Sequence, residues 1–100
     1  MNKKNKDLIT KELKNKTLLI TGGAGSVGTV LVEKILEFPV KTVRVLDIDE
    51  HALFKLNKKV NDKRVRLLLG SITDKERIEM AGHNVDIILH LAAIKNIEIS

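Results

Sequence analysis

The stretch TLLITGGAGSVG, residues 17–28, joins a short apolar segment to a run of glycines. The apolar part, from Thr17 to Thr21, is continuous and stops at glycine, which predicts a strand buried on both faces. Apolar residues then recur at helical spacing from Val27 to Phe38. Pro39 is expected to close that helix, because the residue before a proline disfavours the helical region. The stretch therefore predicts a strand, a glycine-rich turn and a helix in direct succession.

The rest of the chain continues this alternation. Strands are predicted over residues 42–47, 64–69 and 85–91, and helices over residues 50–60 and 74–81. Asp49 and Thr73 are the predicted N-caps of these two helices, and Gly82 is placed to end the second. Alternation with short connections predicts the α/β class. The specific expectation is a partial Rossmann fold, with a parallel sheet of about four strands in the order 3-2-1-4 and flanking helices.

The positive charge is concentrated at the start of the chain. Residues 1–16 hold six lysines against Asp7 and Glu12, a net charge of +4 out of +5 for all 100 residues. We interpret residues 1–16 as a basic polar leader with one or two amphipathic turns. A solvated extension is favoured over an arm that binds nucleic acid. Residues 17–100 then form the domain that follows this leader.

Several classes of function are disfavoured by composition. Phe38 and Phe54 are the only aromatic residues, which argues against stacking of single-stranded nucleic acid. No apolar run approaches the length of a membrane span, and the start of the chain is too polar for a signal peptide. The absence of cysteine excludes disulfides and fits a cytoplasmic location. The three histidines show no metal-ligand spacing, so no metal site is expected.

The glycines follow the spacing of a phosphate-binding turn. Gly22, Gly25 and Gly28 recur every third residue, and a G-x-G-x-x-G pattern also starts at Gly23. The early glycines permit a tight turn, Gly25 lets the backbone approach a pyrophosphate, and Gly28 allows close packing of helix on strand. The following helix offers its N–H groups and its positive dipole end to the phosphates. The pattern predicts a dinucleotide site, and the alternative is a glycine-rich turn with no ligand.

Asp47 is the acidic partner expected in such a site. It lies at the carboxyl end of the second predicted strand, where an acid accepts hydrogen bonds from the adenosine ribose hydroxyls. Its charge would repel a 2′-phosphate, so NAD is favoured over NADP. NADP stays open as an alternative, for which His51 or Lys55 would have to turn back towards the phosphate. A second interpretation of Asp47 is that it only caps the loop leading to the next helix.

Two segments resemble a known family. The segment from Thr21 to Gly28 resembles the nucleotide-binding signature of the extended short-chain dehydrogenase/reductases. The run VDIILHLAAIKN, residues 85–96, is similar to the fourth-strand signature of their polysaccharide-biosynthesis branch. That branch contains UDP-N-acetylglucosamine 4,6-dehydratases and related epimerases. The resemblance covers roughly residues 10–100. It implies that residues 17–100 are the N-terminal part of a dinucleotide-binding Rossmann domain.

The resemblance implies a set of cofactor-binding residues. They are Thr21, Gly22, Gly25, Ser26, Val27, Gly28, Asp47, Ile48, Ser71, Ile72, Ala92, Ala93 and Lys95. In this set Ala92 and Ala93 line the cofactor beside the nicotinamide ribose. Relatives have an aspartate at the position of Ser71, so adenine recognition is expected to be weaker here. Lys95 is either close to the substrate or a solvated loop lysine.

The proton-transfer residues of the family are missing from these 100 residues. That chemistry uses a Tyr-x-x-x-Lys pair, and the sequence contains no tyrosine. No catalytic residue is therefore expected here, and the chain alone is expected to be inactive. We expect an NAD(P)-binding fragment of a nucleotide-sugar dehydratase or epimerase of surface-glycan biosynthesis, whose UDP-sugar substrate binds only to the longer protein. The alternative is a non-catalytic dinucleotide-binding regulatory module. The apolar sheet edge over residues 85–97 is expected to drive self-association.

Overall fold

A computed structural model describes residues 2–91 of the chain. The strands are β1 (Thr17–Thr21), β2 (Thr42–Asp47), β3 (Val65–Leu69) and β4 (Ile87–His90). The helices are α1 (Lys3–Leu13), α2 (Ser26–Ile35), α3 (Glu50–Val60) and α4 (Lys75–Ala81). The bounds predicted for β1, β2 and α3 are confirmed, whereas β4 covers only the middle of its predicted range.

The four strands form one parallel sheet in the order β3-β2-β1-β4, which confirms the predicted topology. The strand β1 lies between β2 and β4, with Leu19 opposite Arg44 on one side and Ile88 on the other. From β1 the chain continues to β2 and β3 on one side of the sheet, and it then returns to place β4 on the other side of β1. The carboxyl ends of β1 and β4 are therefore the point where strand order reverses, and ligands of such sheets bind there.

The sheet packs against helices on both faces, but unequally. The larger apolar cluster joins three strands to α2 and α3 and includes Leu18, Ile20, Val32, Val45, Leu53 and Leu56. The smaller cluster, on the opposite face, joins Leu19 and Leu46 to Ala81 of α4. All five residues of β1 are buried, as predicted. Ile88 of β4 differs, because 47% of its surface is exposed on the face with the smaller cluster.

The first segment of the chain is more ordered than its composition predicts. Residues 3–13 form one continuous helix, whereas the sequence predicted a polar extension with one or two turns. The side chain of Asn2 caps it by accepting a hydrogen bond of 2.8 Å from the Asn5 N–H. Leu13 packs against the larger apolar cluster, and no residue of α1 is fully buried. Among residues 2–91, no helix combines the length and apolarity needed to cross a membrane.

The N-cap of α4 also differs from the prediction. Asp74 caps the helix, because its Oδ1 accepts a bond of 3.1 Å from the Arg77 N–H. Thr73 was the predicted cap, but its hydroxyl lies 2.8 Å from that of Ser71 in the preceding turn. Both residue types are good caps, so the local turn decided between them.

The end of α2 is held by a residue distant in sequence. The helix ends at Ile35, before the predicted end at Phe38, and the turn that follows it has carbonyl groups that need partners. Arg64 donates to the Leu36 carbonyl at 2.7 Å and to the Phe38 carbonyl at 2.9 Å. Its guanidinium also binds both carboxylate oxygens of Asp62, at 2.9 and 3.1 Å. These hydrogen bonds hold the pKa of Asp62 below its ordinary value.

We predict that Arg64→Ala lowers the free energy of unfolding by about 1–3 kcal/mol, since it removes charge-assisted bonds from half-buried acceptors. The Asp62 pKa is lowered in the folded state. Its contribution is therefore full above the ordinary carboxyl pKa and is lost as the pH falls through the lowered value. Urea unfolding at several pH values should show that the difference in free energy of unfolding between the wild type and Arg64→Ala becomes smaller from neutral to acidic pH. Lys63→Ala, an exposed loss of the same charge, serves as the control, and an equal loss there would contradict the prediction.

The half-exposed position of Ile88 makes the predicted self-association testable without unfolding the chain. We predict that the wild type associates with increasing concentration through the β4 edge and that Ile88→Lys suppresses this, because charged side chains on an edge strand oppose pairing. Light scattering against concentration measures it. Phe54→Lys, at an α3 residue with 50% exposure, is the matched control and should associate like the wild type. Equal association of both variants would count against the β4 edge.

Candidate functional site

The glycine loop, residues 22–25, joins β1 to α2 and is held by the end of β2. The Gly22 N–H donates to the Leu46 carbonyl at 2.7 Å, and the Ala24 N–H donates to Asp47 Oδ2 at 3.1 Å. Gly22 has a φ of 72°, which places it in the left-handed region that favours glycine. The tight turn predicted for the early glycines is therefore present at Gly22.

Gly23 and Gly28 leave no room for a side chain. A Cβ on Gly23 would lie 2.8 Å from Cγ2 of Ile20 and 2.9 Å from Cγ1 of Val45. A Cβ on Gly28 would overlap the backbone of Gly23. At Gly28 itself the close approach is to the loop backbone, while Val32 and Ile35 further along α2 pack against the strands. Gly23 was omitted from the predicted site residues, although the G-x-G-x-x-G pattern that starts there could have indicated it.

The N-terminus of α2 differs from those of the other helices in the described residues. Asn2, Asp49 and Asp74 each cap their helix with a side-chain oxygen, whereas Gly25 supplies no side chain to cap α2. Residues 26 and 27 at the start of the helix are exposed, Val27 by 73%. Backbone N–H groups at a helix start carry partial positive charge and bind anions. The first turn of α2 can therefore accept a phosphate from solvent.

Asp47 stands beside the loop at the carboxyl end of β2. Its Oδ2 accepts from the Ala24 N–H at 3.1 Å and its Oδ1 accepts from the Asp49 N–H at 3.0 Å. Both interpretations of Asp47 thus have a structural basis, because it caps the following loop and also lies next to the glycine turn. A carboxylate has about four lone-pair sites, so these two bonds leave capacity for ribose hydroxyls.

Thr21 and His90 meet where the strand order reverses. The Thr21 hydroxyl lies 3.1 Å from Nδ1 of His90, across the carboxyl ends of β1 and β4. Thr21 is fully buried and His90 is exposed. The interaction joins the two strands at the crevice between their carboxyl ends.

The remaining predicted cofactor-binding residues lie after β2, after β3 or outside the described residues. Ile48 is exposed directly after β2. The Ser71 hydroxyl is engaged in the turn with Thr73, and Ile72 packs against the smaller apolar cluster. Ala92, Ala93 and Lys95 lie outside the described residues.

A cavity of about 520 Å³ separates α2 from α3 beside the glycine loop. Its lining comprises Ala24, Gly25, Ser26, Thr29, Val30, Ala52, Lys55, Leu56 and Lys59. Lys59 pairs with Glu33 at 3.7 Å, and Thr29 donates to the Gly25 carbonyl at 2.8 Å. Sequence reasoning had named Gly25, Ser26 and Lys55 but did not predict a cavity between the two helices. The recurrence of the lining residues every three or four positions on both helices was the available signal.

Residues 18–100 match the family described as polysaccharide biosynthesis protein. The chain belongs to this family. The predicted resemblance to the polysaccharide-biosynthesis branch of the extended short-chain dehydrogenase/reductases is confirmed.

Two curated relatives and one solved structure illustrate the similarity. An uncharacterized membrane protein of Methanocaldococcus jannaschii is 45% identical over 84 residues, which cover 84% of this chain and 25% of that protein. A UDP-N-acetylglucosamine 4,6-dehydratase (inverting) of Campylobacter jejuni is 33% identical, with 85% and 26% covered. The Bordetella bronchiseptica enzyme WbmF in complex with NAD⁺ has a TM-score of 0.65 at 30% identity, with 80% and 24% covered. The chain therefore spans about a quarter of the length of these proteins.

We predict that Gly28→Ala lowers the free energy of unfolding by about 1–3 kcal/mol, because its methyl group would overlap the Gly23 backbone and force α2 away from the loop. Gly82→Ala is the matched control, since its Cβ would meet only the Ile78 carbonyl, at 3.2 Å. Thermal or urea unfolding of both variants measures the difference. Equal losses would mean that the close approach at Gly28 has no special cost.

Proposed function

We propose that this chain is the NAD-binding part of a nucleotide-sugar 4,6-dehydratase or epimerase that serves the synthesis of surface polysaccharides. The observation that carries the proposal is the glycine loop, which stands over the start of α2 with Asp47 beside it. That start has no side-chain cap. Membership of the polysaccharide biosynthesis family supports it. So do relatives described as a UDP-N-acetylglucosamine 4,6-dehydratase and a UDP-glucose 4-epimerase.

The residues present fit a dinucleotide in its adenosine and pyrophosphate half. The first turn of α2 would bind the pyrophosphate through backbone N–H groups, close to Gly25 and Ser26. The free lone pairs of Asp47 would accept bonds from the ribose hydroxyls. Ser71 and Ile72 lie after β3, on the side where the adenine would rest. The missing side chains at Gly23 and Gly28 keep the loop close enough to the strands for these contacts.

The charge of Asp47 favours NAD over NADP, because a 2′-phosphate would meet a carboxylate. WbmF has been solved with NAD⁺ and also with NAD⁺ and UDP, which agrees with this preference. NADP would gain affinity only if His51, or Lys55 in the cavity beside Gly25, reached the 2′-phosphate.

In the proposed reaction this chain binds the cofactor, and the rest of the protein supplies the proton-transfer residues. When bound, NAD supplies a site that accepts a hydride from the sugar and later returns it. The residues of this chain bind and orient the cofactor, and proton transfer falls to residues beyond these 100. Loss of water would make the enzyme a lyase, and inversion of a hydroxyl would make it an isomerase. A cytoplasmic location is proposed because it provides NAD and suits a chain without cysteine.

The proposal predicts binding of NAD without turnover. Calorimetry should give similar affinities for NAD and ADP-ribose, because the described contacts end at the pyrophosphate. NADP should bind at least about tenfold more weakly, as one charge repulsion near Asp47 would cause. No conversion of UDP-N-acetylglucosamine is expected from this chain. Absence of NAD binding, or a product from the chain alone, would contradict the proposal.

A single substitution distinguishes an effect on anion binding from an effect on folding stability. In Gly25→Asp a carboxylate takes the N-cap position of α2, where backbone angles of −74° and −177° suit an aspartate. We predict that stability is kept while NAD affinity falls at least about tenfold, because the new carboxylate occupies the N–H groups and repels the pyrophosphate. Asn57→Asp adds the same charge on the exposed side of α3 and should bind NAD normally. Unchanged affinity in Gly25→Asp would rule out the start of α2 as the phosphate site.

A further inference from the structure

The carboxylate of Asp47 has hydrogen-bond partners within the chain itself. One oxygen accepts from the Ala24 N–H in the glycine loop, and the other accepts from the Asp49 N–H at the start of the next helix. The carbonyl of the same residue accepts from the Gly70 N–H at 3.0 Å. Asp47 therefore joins three segments that follow three neighbouring strands.

The glycine loop needs such an anchor more than other turns do. Three of its four residues are glycine, the residue type with the largest conformational freedom to lose. Ala24 is the exception, and its N–H is the one that reaches the carboxylate. A hydrogen bond to an ionised acceptor is stronger than a neutral one. The bond fixes the loop one residue before Gly25, the N-cap of α2.

We propose that Asp47 is a positioning residue for the pyrophosphate, in addition to any contact with the ribose. Through Ala24 it holds the glycine loop in its phosphate-binding shape before a ligand arrives. Prior order of this kind raises affinity because less freedom is lost on binding. The inference rests on the proposed function for the identity of the ligand, but the order it assigns to the free loop does not.

The order of the free loop is measured without any ligand. Amide hydrogen exchange followed by NMR should show the Ala24 N–H exchanging at least about tenfold faster in Asp47→Ala than in the wild type. The amides of Ile20 and Val32, in the core on either side of the loop, should keep their rates. Asp49→Ala is the matched control, because it removes a carboxylate two residues away that caps α3 and does not contact Ala24.

The contribution to phosphate binding is measured with a ligand that lacks the ribose hydroxyls. Calorimetry with 2′,3′-dideoxyadenosine diphosphate removes every direct bond between Asp47 and the ribose. If Asp47 acts only on the ribose, Asp47→Ala leaves the affinity for dideoxyadenosine diphosphate unchanged. It can also raise that affinity, because a negative charge near the phosphates is removed. The positioning role lowers it by about fivefold, through loss of one charge-assisted anchor.

The outcomes separate this inference from the proposed function. If dideoxyadenosine diphosphate and NAD both fail to bind the wild type, the proposed function fails together with the pyrophosphate role of Asp47, and the exchange rate of Ala24 still decides whether Asp47 orders the loop. An unchanged Ala24 rate in Asp47→Ala overturns it. Should that variant not fold, Asp47→Asn decides, since its neutral carbonyl keeps a weaker acceptor. In Asp47→Asn the exchange rate of the Ala24 N–H is expected to rise about threefold, and an unchanged rate overturns the inference.

Discussion

The contact between the backbones of Gly23 and Gly28 is the constraint on which the candidate site depends. A side chain at either position would collide, with the loop backbone at Gly28 or with the side chains of Ile20 and Val45 at Gly23. Because the loop rests on both β1 and β2, and α2 rests on the loop, the helix can only start above the carboxyl end of the sheet. The charge pattern of the site follows from this placement, with N–H groups on one side and the Asp47 carboxylate on the other.

Much of the fold could be predicted because its signals are local. The strands β1 and β2 are short apolar runs with clear ends, and Asp49 marks the start of α3. The deviations arise where distant residues decide. The helix α1 depends in part on Leu13 packing against the core, and α2 ends where Arg64 binds the carbonyl groups that follow it. The core residues that Leu13 contacts and the Arg64 side chain are both distant in sequence from the helix they affect.

The candidate site shows the same division. The glycines and Asp47 could be predicted because each is required by backbone geometry or charge at a fixed place in a strand-turn-helix unit. The bond from Ala24 could not be predicted, since backbone N–H groups leave no mark in a sequence. The cavity beside Lys55 also escaped, because it exists only through the packing of α2 against α3.

The position of β4 has a consequence for how the chain folds. The Thr17 N–H donates to the carboxylate of Asp86, directly before β4, and the Thr21 hydroxyl contacts His90 at its end. Each contact joins residues 69 positions apart. The strands β1, β2 and β3 are neighbours in sequence as well as in the sheet, so their pairing closes shorter loops at lower entropic cost. The unit of β1 to β3 with α2 and α3, which holds most of the larger apolar cluster, is therefore expected to assemble first, and the half of the crevice that β4 contributes is expected to form last.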